Sequence, residues 1–177
     1  ALLESQGQPE EVVAGIVAAQ AKLAPLLAAD APESELQPAI DDLVEAARRS
    51  LPKDAPPEIR RALLKHLTER VVRPWQRSFA KADPAATLSR VKVPILALYC
   101  EKDVVVPAGM NLDRAKRALA RAQNEHVRVE LLPGLNHLFQ RAETGAMSEC
   151  VLLTQTFDPG ALDLMTTWLL ETVGLAR

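Results

Sequence analysis

Between residues 9 and 80 the apolar positions recur at helical spacing. Val12, Ile16, Ala19, Leu23 and Leu27 form one stripe, Leu36, Ile40, Leu43 and Ala47 a second, and Ile59, Leu63, Leu67 and Val71 a third. Repeats of three and four residues set each group on one face of an α-helix. Pro-rich joints separate the stripes at Ala31-Pro32, Leu51-Pro52 and Ala55-Pro56-Pro57. Pro57 suits the first turn of the third helix, where a missing N–H leaves nothing unsatisfied. Pro25 and Pro38 fall inside stripes and predict helices that kink there or end early. No segment of this half alternates as a strand would.

After residue 83 the pattern changes. Val93-Pro-Ile-Leu-Ala-Leu-Tyr99 is a short, nearly continuous apolar run, the pattern of a strand buried on both faces. Leu112, Ala115, Leu119 and Ala122 mark a helix, and Val127-Arg-Val-Glu-Leu-Leu132 alternates as a second strand. Asp158-Pro159 opens a last helix with an N-cap followed by Pro, Leu162, Met165, Leu169 and Thr172 repeat along it, and Gly174 stops it. Strand, helix, strand, helix predicts two parallel neighbours joined by a right-handed crossover. Two parallel strands do not make a sheet that stands alone, because such sheets are buried between helical layers. The expectation is therefore an α/β chain divided into a helical region, 1–82, and part of a larger parallel-sheet core, 83–177, whose other strands lie upstream. The opening ALLESQGQPE reads neither as a leader nor as a natural start, which agrees with a chain that begins inside a longer protein.

Composition narrows the classes of function. The 177 residues are 48% hydrophobic and 25% charged, a globular balance. Lys and Arg number 21 against 23 Asp and Glu, and both halves are close to neutral, so no basic stretch offers itself to nucleic acid. No uninterrupted apolar run approaches the roughly 18 residues of a membrane-crossing helix, and no span is expected. Cys100 and Cys150 are too few for a disulfide scaffold. No zinc-type spacing, Gly-rich phosphate loop or cofactor fingerprint occurs, so neither a metal nor a cofactor is implied.

The chemistry gathers at the two strand ends. The first strand runs into Cys100-Glu-Lys-Asp-Val-Val-Val-Pro107, the second into Pro133-Gly-Leu-Asn-His-Leu-Phe-Gln140. Carboxyl ends of neighbouring parallel strands are where open α/β sheets hold their sites. An Asp103–His137 hydrogen bond there would fix the imidazole tautomer and stabilise the imidazolium formed when His137 takes a proton from a nucleophile. The nucleophile is not evident: none of Ser5, Ser34, Ser50, Ser78, Ser89 and Ser148 lies in Gly-x-Ser-x-Gly. Cys100 stands three residues before the acid without a strand-to-helix elbow of its own, and reads as a small buried hydrophobe.

The Val-Pro-Ile-Leu strand, the Glu-Lys-Asp turn with its Val-Pro, and Leu-Pro-Gly-Leu-Asn-His together resemble the C-terminal half of an α/β-hydrolase. The nearest branch is that of bacterial esterases related to dienelactone hydrolases and prolyl-oligopeptidase-type domains. One departure is Cys100, where the family's turn usually carries Gly. The family's chain order is Ser, then acid, then His, so the resemblance implies Asp103 as acid and His137 as base of a triad. It further implies that residues 1–82 form a helical cap, and that the serine lies on the N-terminal half of the same hydrolase, outside this chain. A small acyl substrate, no cofactor, and a pocket lined by Trp75, Leu138 and Phe139 complete the expectation. Two other readings are a peptidase or thioesterase of the same fold, and a non-catalytic helical interaction module with a hydrolase-like tail.

Overall fold

The computed structural model describes residues 2–51, 54–71 and 73–175, and of Leu2, Ser5, Leu63, Leu67 and Arg70 the backbone alone. Pro52 and the side chains of Leu63 and Leu67, named above, thus lie outside what is described. In chain order the elements are α1 (Leu2–Ser5), α2 (Glu10–Ala28), α3 (Glu33–Ser50), α4 (Pro57–Val71), α5 (Pro74–Lys81), α6 (Pro84–Leu88), β1 (Ile95–Cys100), α7 (Ala108–Arg121), β2 (Val127–Leu132), α8 (Met147–Cys150) and α9 (Pro159–Thr172). The chain is mixed helix and strand, 58% helical, and its one parallel pair of strands is compatible with the α/β class but too small a sheet to define a particular fold. It divides into two units, Gly7–Ala82 and the residues from Asp83 on together with the first six.

In the helical unit α2 and α3 pack by the stripes that periodicity marks. Val12, Val13, Ile16, Ala19, Leu23 and Leu27 are buried on α2, and Leu36, Ala39, Ile40, Leu43 and Ala46 on α3. The helices approach closely at Gly15, where an added Cβ would stand 3.7 Å from that of Ala46. Both helices run on through their prolines, Pro25 and Pro38, rather than ending at them. Pro25 lies in the last turn of α2, and the buried stripe on either side of each ring outweighs one lost backbone hydrogen bond. Asp30 follows α2 in the left-handed conformation, φ +53°. The Ala31 N–H then reaches back to the Leu26 carbonyl at 3.0 Å, closing the helix in the manner of a Schellman cap. Arg77 of α5 lies 3.9 Å from the Asp30 carboxylate and donates to the Ala31 carbonyl at 3.0 Å. Lys81 also bonds Asp30, and this hydrogen bond holds the Asp30 carboxyl below its ordinary value against the opposing effect of burial, with the charges of Lys81 and then Arg77 adding to the lowering.

The helical unit contains one long apolar helix that counting uninterrupted apolar residues does not single out. By length and composition alone, Glu10–Ala28 is sufficient to cross a bilayer, with a mean hydropathy of 1.5 over 18 residues. Counting uninterrupted apolar residues misses it because Gln20 and Lys22 break the run. A core helix passes the same measure, and the buried face of α2 lies in the helical unit's core.

In the other unit β1 and β2 pair in parallel, from Ile95 opposite Val127 to Cys100 opposite Leu132, and α7 connects them. β1 begins two residues later than the apolar run and is only half-covered, with Cys100 alone buried, instead of being buried on both faces. The reason is the sheet's width: among the described residues no third strand flanks it. A small core of Cys100, Leu132, Leu135 and Ala161 gathers at the carboxyl ends of the strands, with Leu98, Phe139, Phe157 and Leu164 packed around it. α9 starts as its sequence dictates, the Asp158 side chain accepting from the Ala161 N–H and Pro159 following. It closes through Gly174, φ +72°, with the Leu175 N–H on the Leu170 carbonyl at 2.8 Å. Its apolar residues are less well placed: Leu162, Leu169 and Leu170 are exposed, as is Val173 just beyond it. The sequence pattern did not single out α5, α6 and α8 as separate short helices.

Leu36 has no exposed surface at the centre of the helical unit. Leu36→Ala is expected to cost about 2–5 kcal/mol, the usual range for a leucine truncated in a packed core. Urea denaturation followed by circular dichroism measures it, and a loss below about 1 kcal/mol would contradict a close-packed α2–α3 interface.

Candidate active site

The pairing of the strands continues into the loops that follow them. The Glu101 N–H donates to the Leu132 carbonyl at 3.0 Å and the Lys102 N–H to the Leu135 carbonyl at 2.8 Å. Returning the link, the Gly134 N–H donates to the Glu101 carboxylate at 2.8 Å. Gly134 sits at φ +70°, a conformation glycine takes without steric cost. Three hydrogen bonds thus join the two strand ends and the loops that follow them.

Asp103 and His137 face each other across that junction. Nδ1 of His137 lies 2.9 Å from Oδ2 of Asp103. A carboxylate only accepts, so the proton belongs on Nδ1 and Nε2 is left with its lone pair. The other carboxylate oxygen, Oδ1, accepts from the N–H groups of Val105 at 2.9 Å and Val106 at 2.7 Å. Asp103 thus folds its own turn around its side chain, which fixes the direction in which Oδ2 points. The acid is covered, at 11% side-chain exposure, whereas the imidazole, at 37%, reaches the surface. Among the described residues no side chain hydrogen-bonds Nε2. The arrangement can hold one imidazole tautomer and take up a proton at Nε2.

The loop bearing His137 is a tight turn. The Asn136 N–H donates to the Gln140 carbonyl at 2.9 Å and the Phe139 N–H to the Asn136 carbonyl at 3.0 Å. Phe139 adopts φ +59°, which a side chain with a Cβ takes up only at a cost. Its ring stacks on Phe157 at 4.9 Å between centroids, and its carbonyl accepts from the Asp158 N–H at 2.7 Å. Arg141 in turn meets the Asp158 carboxylate at 3.0 Å. Asn136, with no exposed surface, is the one polar side chain buried completely among the described residues. Sequence reading passed over it; a polar residue directly before the candidate base was the available signal.

Of the residues expected to line a pocket, Leu138 is exposed and Phe139 packs on the small core. Trp75 belongs to the helical unit, half-exposed on α5, with its ring edge-on to Phe79 at 6.2 Å. Phe79 borders a cavity of about 650 Å³ with Leu23, Leu27, Leu43 and Val71. Cys100 is buried beneath the acid turn, and burial, with a further push from the Asp103 charge, raises its thiol to about 11. Among the described residues no three His, Cys, Asp or Glu side chains gather as a metal site. Compared with protein-family models, with curated proteins and with solved structures, the chain matches none.

Beyond the base loop, Glu149 of α8 folds the segment before it. Its carboxylate accepts from the backbone N–H groups of Glu143, Thr144 and Gly145, at 2.7, 3.0 and 2.9 Å, and from the Thr144 hydroxyl. The Thr144 hydroxyl first, then these N–H groups, lower the Glu149 carboxyl to about 2. A folded value below the unfolded one stabilises the fold above the unfolded value, and that stabilisation fades as pH falls towards the folded one. Hydrogen-exchange protection of the three amides is therefore expected to persist near neutrality and to decline as the pH drops from about 4.5 to about 2. Protection that stays constant across that window would show that Glu149 does not hold the segment. Burial of both thiols predicts inertness, and the raised pKa of Cys100 adds to it there. Neither Cys100 nor Cys150 is expected to be alkylated by iodoacetamide at about pH 8 until denaturant is added. Intact mass reads the outcome, and prompt native labelling of Cys100 would contradict its environment.

Proposed function

We propose that this chain contributes the acid and base of a serine hydrolase with an α/β-hydrolase fold, the serine being supplied by the N-terminal half of the same enzyme. The observation that carries the reading is the Asp103–His137 hydrogen bond of 2.9 Å at the ends of two parallel strands, with the second carboxylate oxygen held by two backbone N–H groups. His137 Nε2 takes the proton from the serine hydroxyl as that oxygen attacks an acyl carbonyl, and returns it to the leaving alcohol. Asp103 keeps the Nδ1 tautomer and balances the transient imidazolium charge. Water then repeats the sequence on the acyl-enzyme. The helical region acts as a cap, and the substrate is a small uncharged ester. The half-covered β1 and the exposed Leu162, Leu169 and Leu170 of α9 are consistent with a sheet whose neighbouring strands come from that other half.

The test is made on the assembled enzyme, this chain with its serine-bearing half, hydrolysing p-nitrophenyl esters. His137→Ala and Asp103→Asn are each expected to lower kcat by about 10⁴ or more, with little change in KM. A fluorophosphonate probe should label the partner half and not this chain. Turnover within about tenfold of the parent for His137→Ala would refute the assignment. Absence of any labelled polypeptide would instead favour a non-catalytic module, while activity restricted to thioesters or peptides would move the substrate class without moving the residues.

A further inference from the structure

The segment 143–150 touches both loops of the dyad at once. Towards the acid, Gly145 lies against the backbone of Lys102, the residue before Asp103. A Cβ added at Gly145 would stand 1.8 Å from the Lys102 carbonyl oxygen and 2.9 Å from its carbon, and Gly145 is at φ +74°. Towards the base, Cys150 Sγ accepts from the Asn136 side-chain amide at 3.2 Å. That same amide donates to Gln140 Oε1 at 3.0 Å, while Asn136 Oδ1 accepts from the Leu138 N–H at 2.9 Å and the Gln140 N–H at 3.0 Å. Asn136 thus holds the backbone on the far side of His137 while Cys150 holds Asn136. Between the two contacts Glu149 fixes the segment's own shape through the three N–H groups and the hydroxyl already described.

We infer that residues 143–150 form a strut that sets the Asp103–His137 separation from behind, with Gly145, Asn136 and Cys150 as positioning residues. None of the three touches the imidazole or the carboxylate, so each acts only through the loop it braces. Asn136 is suited to the work because every polar atom of its side chain is engaged in a site without water access, where an unmet partner is costly. Gly145 is suited because any side chain would push the acid turn outward.

The inference rests on the proposed hydrolase reading only for its effect on turnover; its structural content is separate and is read by NMR on the full chain. In the parent, His137 is expected to show an Nδ1–H proton protected from exchange by the Asp103 bond. Asn136→Ala and Gly145→Ala should each lose that protected signal while the fold persists by circular dichroism. Cys150→Ala should weaken it, and Cys150→Ser, which keeps an acceptor for the amide, should restore it. Leu119→Ala destabilises the same unit from α7, where Leu119 is buried, and should leave the signal in place. In the assembled hydrolase, Asn136→Ala should lower kcat by about 10²-fold at unchanged KM, the effect of a reacting group displaced by an ångström or so. A folded Asn136→Ala chain with the parental Nδ1–H signal would overturn the strut. So would identical signals from Cys150→Ala and Cys150→Ser, which decides the matter even if Asn136→Ala does not fold, or a parent chain with no protected signal. If the signals behave as expected but His137→Ala leaves turnover intact, the strut stands and the hydrolase reading falls.

Discussion

The parallel register that sets Cys100 opposite Leu132 is the constraint on which the candidate site depends. Each strand ends at the same level, so the loops that follow start side by side and can share hydrogen bonds at once, through Glu101, Lys102 and Gly134. A displacement of one residue in that register would turn one of Cys100 and Leu132 out of the small core and carry Asp103 away from His137 by a strand step, about 3.3 Å. No adjustment of a long side chain could recover this, because both functional groups are short. The register is itself held by burial at only one end, where Cys100, Leu132 and Leu135 meet Ala161 of the last helix. Site and core therefore share one set of contacts.

Much of this was legible in the sequence. Apolar spacing located α2, α3, α4, α7, α9 and both strands, and Asp158-Pro159 and Gly174 marked both ends of α9, because caps and periodicity are local properties of the chain. The meeting of Asp103 and His137 was legible for a related reason: each follows its strand by a few residues, so reading the strands also reads the loops. What escaped was set by contacts distant in sequence. Pro25 and Pro38 argued for interrupted helices, but a buried face on both sides of the ring prevailed. Val93–Tyr99 argued for a strand covered on both faces, yet coverage belongs to the neighbours and not to the strand. The segment 143–150 has no periodicity at all; its order comes from one carboxylate gathering backbone donors, a pattern with no sequence signature beyond a Thr and a Glu five residues apart.

The two loops are stiffened by different means. Asp103 needs no distant partner for its orientation, since Oδ1 is satisfied by the turn it begins. The His137 side chain folds no turn of its own; its neighbour Asn136 does so, accepting from the Leu138 and Gln140 N–H groups. Its loop depends on a buried amide, an aromatic stack and a carboxylate from the far end of the chain. The acid is the fixed reference of the pair and the base is the partner brought to it.

The left-handed turn at Phe139 carries this asymmetry into the order of the chain. The acid turn is built from Asp103 and the two residues whose N–H groups it binds, Val105 and Val106. The strained Phe139, however, is offset only by Phe157 and the Asp158 N–H, nearly twenty residues later. The histidine loop is thus closed by residues that follow it in the chain, whereas the acid turn needs none beyond Val106.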